Sequence, residues 1–236
     1  MFKISSHVRY SEVDYKGNMT VDAIVNYMQD VCMLQSEKVG LGVNQANEMP
    51  GIWFLASWQI EIVRVPKVYE EIDIFTYPYR FKGILGSRYF EIKNNSGEIL
   101  VKANSIWSYL DIKTHVPRRI DQIQIDRYEP DDIVPDMEVL PRKIDLPQTE
   151  ADQLAPLHVR IEQIDTNMHV NNCEYIRSFL EATGIADTPG IIRAEYKKSA
   201  VMGDVFYPYI YKEGNRTVGD LRDANGESYA TVEFIF

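Results

Sequence analysis

The feature that most constrains the fold is an internal repeat, in which three segments recur in the same order in the two halves of the chain. Residues 165–172 read Asp-Thr-Asn-Met-His-Val-Asn-Asn, and residues 14–22 share their Asn-Met-(His or Thr)-Val-(Asn or Asp) core. Aligned on that core, Thr20 stands where the later copy has His169. The repeat predicts a duplicated domain in which only the second half kept the imidazole.

The other two matches lie downstream of each motif. Residues 58–70 match residues 192–204, and residues 95–107 match residues 224–236 without gaps. The last pair shares a Gly-Glu step of the kind that closes strand hairpins. Each half therefore predicts a polar turn, a helix, a strand and then a hairpin.

Two helices begin directly at the two motifs. Apolar residues at helical spacing predict a first helix from about residue 21 to 39, and Gly40 supplies its end. A second helix is predicted from about residue 172 to 183, with Asn171 as its cap residue. Strand-forming residues predict strands in the first half at 60–65, 71–77, 86–93 and 99–110.

The two halves are separated by a proline-rich segment. Residues 126–156 contain five of the eleven prolines and an acidic run at 129–132, and they predict an extended linker along the surface of both halves. We therefore expect an N-terminal domain at 1–125 and a C-terminal domain at 157–236.

Composition excludes several classes of protein. A net charge of −10 argues against a broad nucleic-acid surface, because phosphate binding needs clustered Lys and Arg. No apolar run approaches the roughly 20 residues that span a bilayer, and residues 1–7 lack the apolar region of a signal peptide. Cys32 and Cys173 have no metal-ligand spacing, which fits a reduced compartment. We expect a cytoplasmic protein without membrane insertion, bound metal or cofactor.

One long helix followed by a twisted antiparallel sheet, occurring twice, is typical of an α+β tandem hot-dog fold. Each sheet would wrap around its own helix. Pairing two such units covers the exposed sheet edge of each, so fusion in one chain gives a pseudodimer with an apolar crevice between the units. Further assembly into a homodimer stays possible on this interpretation.

The later motif carries side chains suited to acyl transfer. Asp165 supplies a carboxylate, Asn167 an amide and His169 an imidazole, at the start of a helix whose N–H groups can hold an oxyanion. A thioester is the natural target, because a thiolate leaves readily and no metal is needed. The alternative role of Asp165 and Asn167 is to stabilise a tight turn, as Asp14 and Asn18 would in the first half.

The sequence resembles the acyl-acyl-carrier-protein (acyl-ACP) thioesterases of plants and bacteria over essentially its whole length. The resemblance implies a double hot-dog fold, hydrolysis of fatty acyl thioesters carried on acyl carrier protein, and a role in fatty acid biosynthesis. It also implies that Asp165, Asn167 and His169 are catalytic. The matching segments are 11–20 with 29–30, 58–66, 86–90, 107–111 with 117–119, and 165–172.

One departure from that family bears on mechanism. Plant members carry Glu and Cys, both assigned catalytic roles, where this chain has Ser199 and Ala200. A cysteine nucleophile is therefore not expected here. Asp165 would act as base or transient nucleophile, and Ser199 would at most orient water.

We accordingly predict a thioester hydrolase that releases free fatty acid from acyl-ACP. An acyl-coenzyme A thioesterase is the nearest alternative. A hot-dog hydratase or dehydratase, and a module that binds acyl chains without turnover, are the others.

Overall fold

A computed structural model of the chain describes residues 1–131 and 133–236, with the backbone alone at 46 and 47. Position 132, in the acidic run of the predicted linker, lies outside the described residues. The chain divides into two compact units. Unit 1 comprises residues 1–56 and 60–140, and unit 2 comprises residues 57–59 and 141–236.

Unit 1 is an antiparallel sheet packed against one long helix. Its elements are β1 (Phe2–His7), α1 (Val21–Lys38), β2 (Gly51–Ile62), β3 (Glu71–Lys82), β4 (Leu85–Asn94), β5 (Ile99–Asp111) and α2 (Gln122–Tyr128). The strands lie in the order β1-β3-β4-β5-β2, and the register places β3 between β1 and β4. Helix α1 packs against β1 and β3.

Helix α1 forms where the apolar spacing predicts it. Its buried face is apolar along most of its length, and Thr20 caps its start by accepting the N–H of Ala23 at 3.4 Å. Gly40, just after the helix, has a φ of 70°, a left-handed conformation that glycine adopts without strain. The predicted first helix is therefore confirmed.

Unit 2 repeats the arrangement with a shorter helix. Its elements are β6 (Asp152–Gln153), β7 (Leu157–His158), α3 (Asn172–Thr183), β8 (Ile191–Tyr196), β9 (Val205–Glu213), β10 (Arg216–Arg222) and β11 (Ser228–Ile235). The strands lie in the order β8-β11-β10-β9-β6, and β7 also pairs with β9. Helix α3 packs against β9, β10 and β11, and it ends at Gly184 in the left-handed conformation.

The segment predicted as a linker is largely ordered by contacts with the units. It begins inside α2, a helix that the sequence did not predict, whose Tyr128 is buried in unit 1. Further on, Lys102 binds Asp136 at 2.9 Å. Within unit 2, the Ile144 N–H donates to the buried Glu195 at 3.1 Å, and the Ile144 side chain packs in a small apolar cluster.

Candidate active site

The motif at 165–172 folds as a tight turn that leads directly into α3. The Asp165 N–H donates to the His169 carbonyl at 2.8 Å, and the Met168 N–H donates to the Asp165 carbonyl at 3.0 Å. Met168 takes a φ of 62°, which an extended or helical segment would not allow. Asn171 then caps the helix by accepting the Cys173 N–H at 2.9 Å, as predicted.

The carboxylate of Asp165 holds this turn together. Its Oδ1 accepts the backbone N–H of Asn167 at 2.8 Å and of His169 at 3.3 Å. The turn-stabilising role that was the alternative to catalysis is therefore present. The second oxygen, Oδ2, accepts no hydrogen bond from the residues that the structure describes, so one oxygen of Asp165 stays available.

The other two candidate side chains are also unengaged. His169 is half-buried and Asn167 is exposed. Across residues 1–131 and 133–236, neither the imidazole nor the side-chain amide has a hydrogen-bond partner. The turn therefore brings Asp165, Asn167 and His169 into one short loop at the N-terminal end of α3.

The first half contains the same turn, and its hydrogen bonds fix the register of the repeat. Asp14 Oδ1 accepts the N–H of Lys16 at 2.8 Å and of Asn18 at 2.9 Å, and the Asp14 N–H donates to the Asn18 carbonyl. Asn18 therefore corresponds to His169. Thr20 corresponds instead to the cap residue of α3, so the sequence alignment that placed Thr20 opposite the imidazole was wrong.

The two turns differ in whether their polar side chains have hydrogen-bond partners. The Asn18 amide donates to Asp14 Oδ2 at 3.3 Å, and Lys67 donates to the Asn18 side-chain carbonyl. Lys67 corresponds to Val201, because each backbone N–H donates to the carboxylate three residues further on. Unit 2 has the imidazole of His169 where unit 1 has the amide of Asn18, and it has Val201 where unit 1 has Lys67. The polar groups of the second turn are therefore free for a ligand.

The downstream matches of the repeat are confirmed in register. Arg64 binds Glu98 in unit 1, and Lys198 binds Glu227 at the corresponding place in unit 2. Both hairpin turns are closed by an Asn or Asp side chain that accepts backbone N–H groups two and four residues later.

The segment with Ser199 and Ala200 adjoins the turn. The Val170 N–H, next to His169, donates to the Ala200 carbonyl at 2.8 Å. Ala200 is fully buried, and its methyl group offers no nucleophile. Ser199 is half-buried, and its hydroxyl has no hydrogen-bond partner among the described residues.

One residue of this region was not predicted. Tyr175, buried in the first turns of α3, accepts the Ala200 N–H at 2.8 Å. Burial raises the pKa of Tyr175 far above that of an ordinary phenol, so the hydroxyl keeps its proton. Tyr175 thus joins α3 to the segment that pairs with Val170, next to the turn at 165–169. The sequence offered no spacing pattern that would have singled it out.

In the described part of the chain, no helix is both long and apolar enough to cross a membrane. Cys32 and Cys173 are both buried and unbonded to each other.

Comparison with known proteins gives consistent matches over both units. The family model described as "Acyl-ACP thioesterase N-terminal domain" matches residues 1–129, and that described as "Acyl-ACP thioesterase C-terminal domain" matches residues 146–234. An acyl-[acyl-carrier-protein] hydrolase (FATB3, chloroplastic) of Cuphea viscosissima is 28% identical over 97% of this chain and 60% of its own length. Oleoyl-acyl carrier protein thioesterase 2 (chloroplastic) of Arabidopsis thaliana is 26% identical over 94% of this chain and 66% of its own. The chain thus spans about two thirds or less of the length of these curated relatives.

Solved structures match the fold. An acyl-ACP thioesterase from Bacteroides thetaiotaomicron has a TM-score of 0.88 at 20% identity, covering 99% of this chain and 96% of its own. A 12:0-ACP thioesterase from Umbellularia californica has a TM-score of 0.85 at 19% identity, with the same coverage. These likenesses confirm the tandem hot-dog fold that the sequence predicted.

Proposed function

The chain belongs to the acyl-ACP thioesterase family, and on that premise we propose that it hydrolyses fatty acyl thioesters carried on acyl carrier protein. The observation that carries the proposal is the difference between the two equivalent turns. In unit 1 both oxygens of Asp14 and both ends of the Asn18 amide are hydrogen-bonded, whereas unit 2 leaves Asp165 Oδ2 and the imidazole of His169 without partners in the described part of the chain. A structural turn needs no such unsatisfied groups.

The proposed reaction is a direct attack of water on the thioester carbonyl. Asp165 Oδ2 takes a proton from water as the new carbon–oxygen bond forms, and His169 relays that proton to the thiolate as the carbon–sulfur bond breaks, which leaves both side chains in their starting state. The products are a free fatty acid and the thiol of the carrier. Asp165 needs to be held rigidly for this role, and its Oδ1 is anchored by two backbone N–H groups.

The oxyanion that forms on the carbonyl needs hydrogen-bond donors. Of the N–H groups that open α3, that of Cys173 is occupied by the cap residue Asn171, and that of Glu174 donates to the Asn171 carbonyl. The side-chain amide of Asn167 and the N–H of Asn172 are the donors that we assign to the oxyanion. Ser199 would orient the attacking water, in the place where the plant family has a carboxylate.

Replacing the two proton-transfer groups tests this assignment. We expect Asp165→Asn and His169→Ala each to lower kcat on an acyl-ACP thioester by about 10²-fold or more. The matched control is Asp14→Asn, which makes the same change in the turn of unit 1 and should leave kcat near that of the unmodified protein. Full activity in either unit 2 variant would refute the assignment.

Product and carrier comparisons separate the rival functions. The same acyl group attached to acyl carrier protein and to coenzyme A gives two kcat/KM values, and we expect the carrier protein to be preferred. Mass spectrometry should find free acid. A hydrated or dehydrated thioester would indicate a hydratase or dehydratase, and intact bound thioester after long incubation would indicate a binding module.

Three further properties belong to the proposal. The acyl chain would occupy the apolar interior of one unit. The two units would act as a pseudodimer, and sedimentation tests whether the chain assembles further into a homodimer. A cytoplasmic location is supported by two buried cysteines that form no disulfide with each other. The named plant relatives are chloroplastic, so location is best tested by imaging a tagged protein in its own cell.

A further inference from the structure

One residue of the turn in unit 2 holds a backbone conformation that its side chain disfavours. Met168, just before His169, has a φ of 62°, and Gly17, just before Asn18, has a φ of 75°. The turn therefore requires the left-handed conformation in both units, and glycine adopts it without a steric cost. Unit 2 has a methionine there instead. Its side chain is 69% exposed, so packing within the chain returns little for that cost.

Backbone strain does not by itself identify a functional residue. Tyr69 of unit 1 has a φ of 66° and is also exposed, and unit 2 has Gly203, with a φ of 92°, at the matching position of the repeat. Met168 differs from Tyr69 in its place in the chain, between Asn167 and His169. Its exposed side chain adjoins the groups that we assign to thioester hydrolysis.

The segment that runs beside the turn places a second methionine near the first. In unit 1 the Val68 N–H donates to the Gly17 carbonyl at 3.0 Å, so these two residues face each other. Met202 and Met168 are their counterparts. Within residues 1–131 and 133–236, the corresponding bond between Met202 and Met168 is not formed. The two segments of unit 2 are joined where Val170 pairs with Ala200, and nearer the tip of the turn each carries an exposed methionine.

The two methionines belong to a group of exposed apolar side chains around the turn. Ile161 lies three residues before Ile164, which pairs with Val170 in an isolated bridge. Val201 follows Ala200 directly. We call the four exposed residues the apolar rim, and they are Ile161, Met168, Val201 and Met202.

Unit 1 lacks this rim. Its residues at the equivalent places are Tyr10, Gly17, Lys67 and Val68, and among these Tyr10 alone is a large apolar side chain exposed to solvent. The apolar rim thus accompanies the turn whose polar side chains are available. Contiguous exposed apolar side chains are typical of interaction surfaces, and methionine is common there because it adapts to different partners.

The position of the apolar rim indicates what covers it. An acyl chain would enter the apolar interior of a unit, so the carrier is the part of the substrate that stays outside. A carrier that delivers a thioester to Asp165 Oδ2 and His169 has to lie against the residues around their turn. A contact made only with that partner would also account for a strained, exposed methionine at 168.

We propose that the apolar rim is the docking surface for acyl carrier protein, with Met168 as the contact that adjoins His169. This inference rests on the proposed function, and it names the surface through which the carrier is recognised. The carrier would cover the apolar rim with apolar side chains of its own while its arm reaches the turn.

Binding of the carrier without an acyl group tests the surface independently of hydrolysis. The probe is holo acyl carrier protein, titrated by calorimetry into the full chain. Met168→Gly and Met202→Ser should each raise Kd about fivefold or more, as the loss of one buried apolar contact does. An unchanged Kd in Met168→Gly, or no binding by the unmodified chain, would overturn the proposal.

The fold should survive the main substitution. Met168→Gly introduces the residue that unit 1 has at the same place, where φ is positive. Its unfolding temperature should therefore equal that of the unmodified chain or exceed it by up to about 3 °C. Weaker carrier binding in a protein of equal or greater stability would then come from the lost side chain.

Tyr69→Gly is the matched control. It also replaces an exposed side chain at a positive φ with glycine, but in unit 1. Its Kd for the carrier should equal that of the unmodified chain. A loss as large as that of Met168→Gly would show that the effect does not arise at the apolar rim, and would overturn the proposal.

Two other occupants of the apolar rim give different results. If vesicles of phosphatidylcholine and phosphatidylglycerol sediment the unmodified chain but not Met168→Gly, the apolar rim contacts lipid. If sedimentation finds a dimer that Met168→Gly dissociates, a second copy of the chain covers it. Either result would overturn the proposal.

Hydrolysis assays separate this inference from the proposed function. With the same acyl group on both carriers, the ratio of kcat/KM on acyl-ACP to that on acyl-coenzyme A should fall about fivefold in Met168→Gly, because coenzyme A has no protein surface. Equal losses on both carriers would show that Met168 contacts the arm that they share, and would overturn the proposal. If the unmodified chain hydrolyses neither thioester, the proposed function fails, and the carrier titration still decides whether the apolar rim is a docking surface.

Discussion

Asp165 Oδ1 lies 3.3 Å from the backbone nitrogen of His169, so the carboxylate that is proposed to act on water also fixes the backbone that carries the imidazole. The same oxygen holds the N–H of Asn167 at 2.8 Å. One side chain therefore has a structural task through Oδ1 and a chemical task through Oδ2. The two tasks can be separated by experiment.

The choice of substitution at Asp165 distinguishes the two tasks. Asp165→Asn keeps a side-chain oxygen for the two N–H groups, so its free energy of unfolding should stay within about 0.5 kcal/mol of the unmodified protein while kcat falls. Asp165→Ala removes the acceptor and should also cost about 1–2 kcal/mol of stability. Urea unfolding and thiol-release assays measure the two effects. An Asp165→Ala protein as stable as Asp165→Asn would contradict the structural task.

The equivalent turn of unit 1 should make stability depend on acid pH. Burial acts to raise the pKa of Asp14, but hydrogen bonds from the N–H groups of Asn18 and Lys16 outweigh it, and the net pKa lies below the ordinary 3.8. A carboxyl whose pKa is lower in the folded state stabilises the fold above its unfolded pKa, and this contribution is lost as the pH falls through the folded value.

Asp14→Asn should therefore be less stable than the unmodified protein at pH 7, and the difference should shrink below about pH 3.8. Urea unfolding at a series of pH values from neutral to acid measures it. A difference that stays constant over the whole series would show that the charge of Asp14 contributes nothing.

Local patterns predicted the elements that depend on local interactions. Helices α1 and α3 were placed to within about a residue, because apolar spacing and a terminal glycine define α1, and a cap residue and a terminal glycine define α3. Helix α2 was missed, since it lies among prolines and gains its stability from burying Tyr128. Strand β3 was predicted to end at residue 77, but it continues past Pro78 through a shift in register.

The candidate site was predicted in its residues and not in its bonding. The sequence predicted that Asp165, Asn167 and His169 lie in one turn. The alignment of the two turns relied on identical residues, and it therefore missed the equivalence of Asn18 and His169. Which carboxylate oxygen is occupied depends on backbone N–H directions, and these arise only when the turn closes. For the same reason, no pattern indicated that Tyr175 would reach Ala200.

Tyr175→Phe should uncouple α3 from the segment beside the turn. The change removes the acceptor of the Ala200 N–H, which is buried, and leaving it unpaired should cost about 1–3 kcal/mol of stability. Because Ala200 also pairs with Val170, we expect kcat to fall more than KM changes. The control is Tyr207→Phe, on a half-buried tyrosine of β9 with no hydrogen bond through its hydroxyl in the described residues. Equal stability of the two variants would show that the Ala200 contact is dispensable.

Helix α3 approaches its sheet most closely where Phe179 lies against Gly219 of β10. A Cβ built on Gly219 in β10 would clash with Cε2 of Phe179, far inside contact distance. Phe179 is fully buried, and its ring centre lies 4.8 Å from that of Phe234, so it has no space in which to retreat. Gly219→Ala should therefore destabilise unit 2 by about 1–3 kcal/mol, as overpacking does. Gly190→Ala is the control, because a Cβ there meets only the Ile235 carbonyl at an ordinary 3.7 Å.

The double variant Gly219→Ala with Phe179→Leu should regain part of the loss, since a smaller side chain leaves room for the added methyl. A Gly219→Ala protein with unchanged thermal unfolding would mean that α3 does not pack on β10 as closely as described.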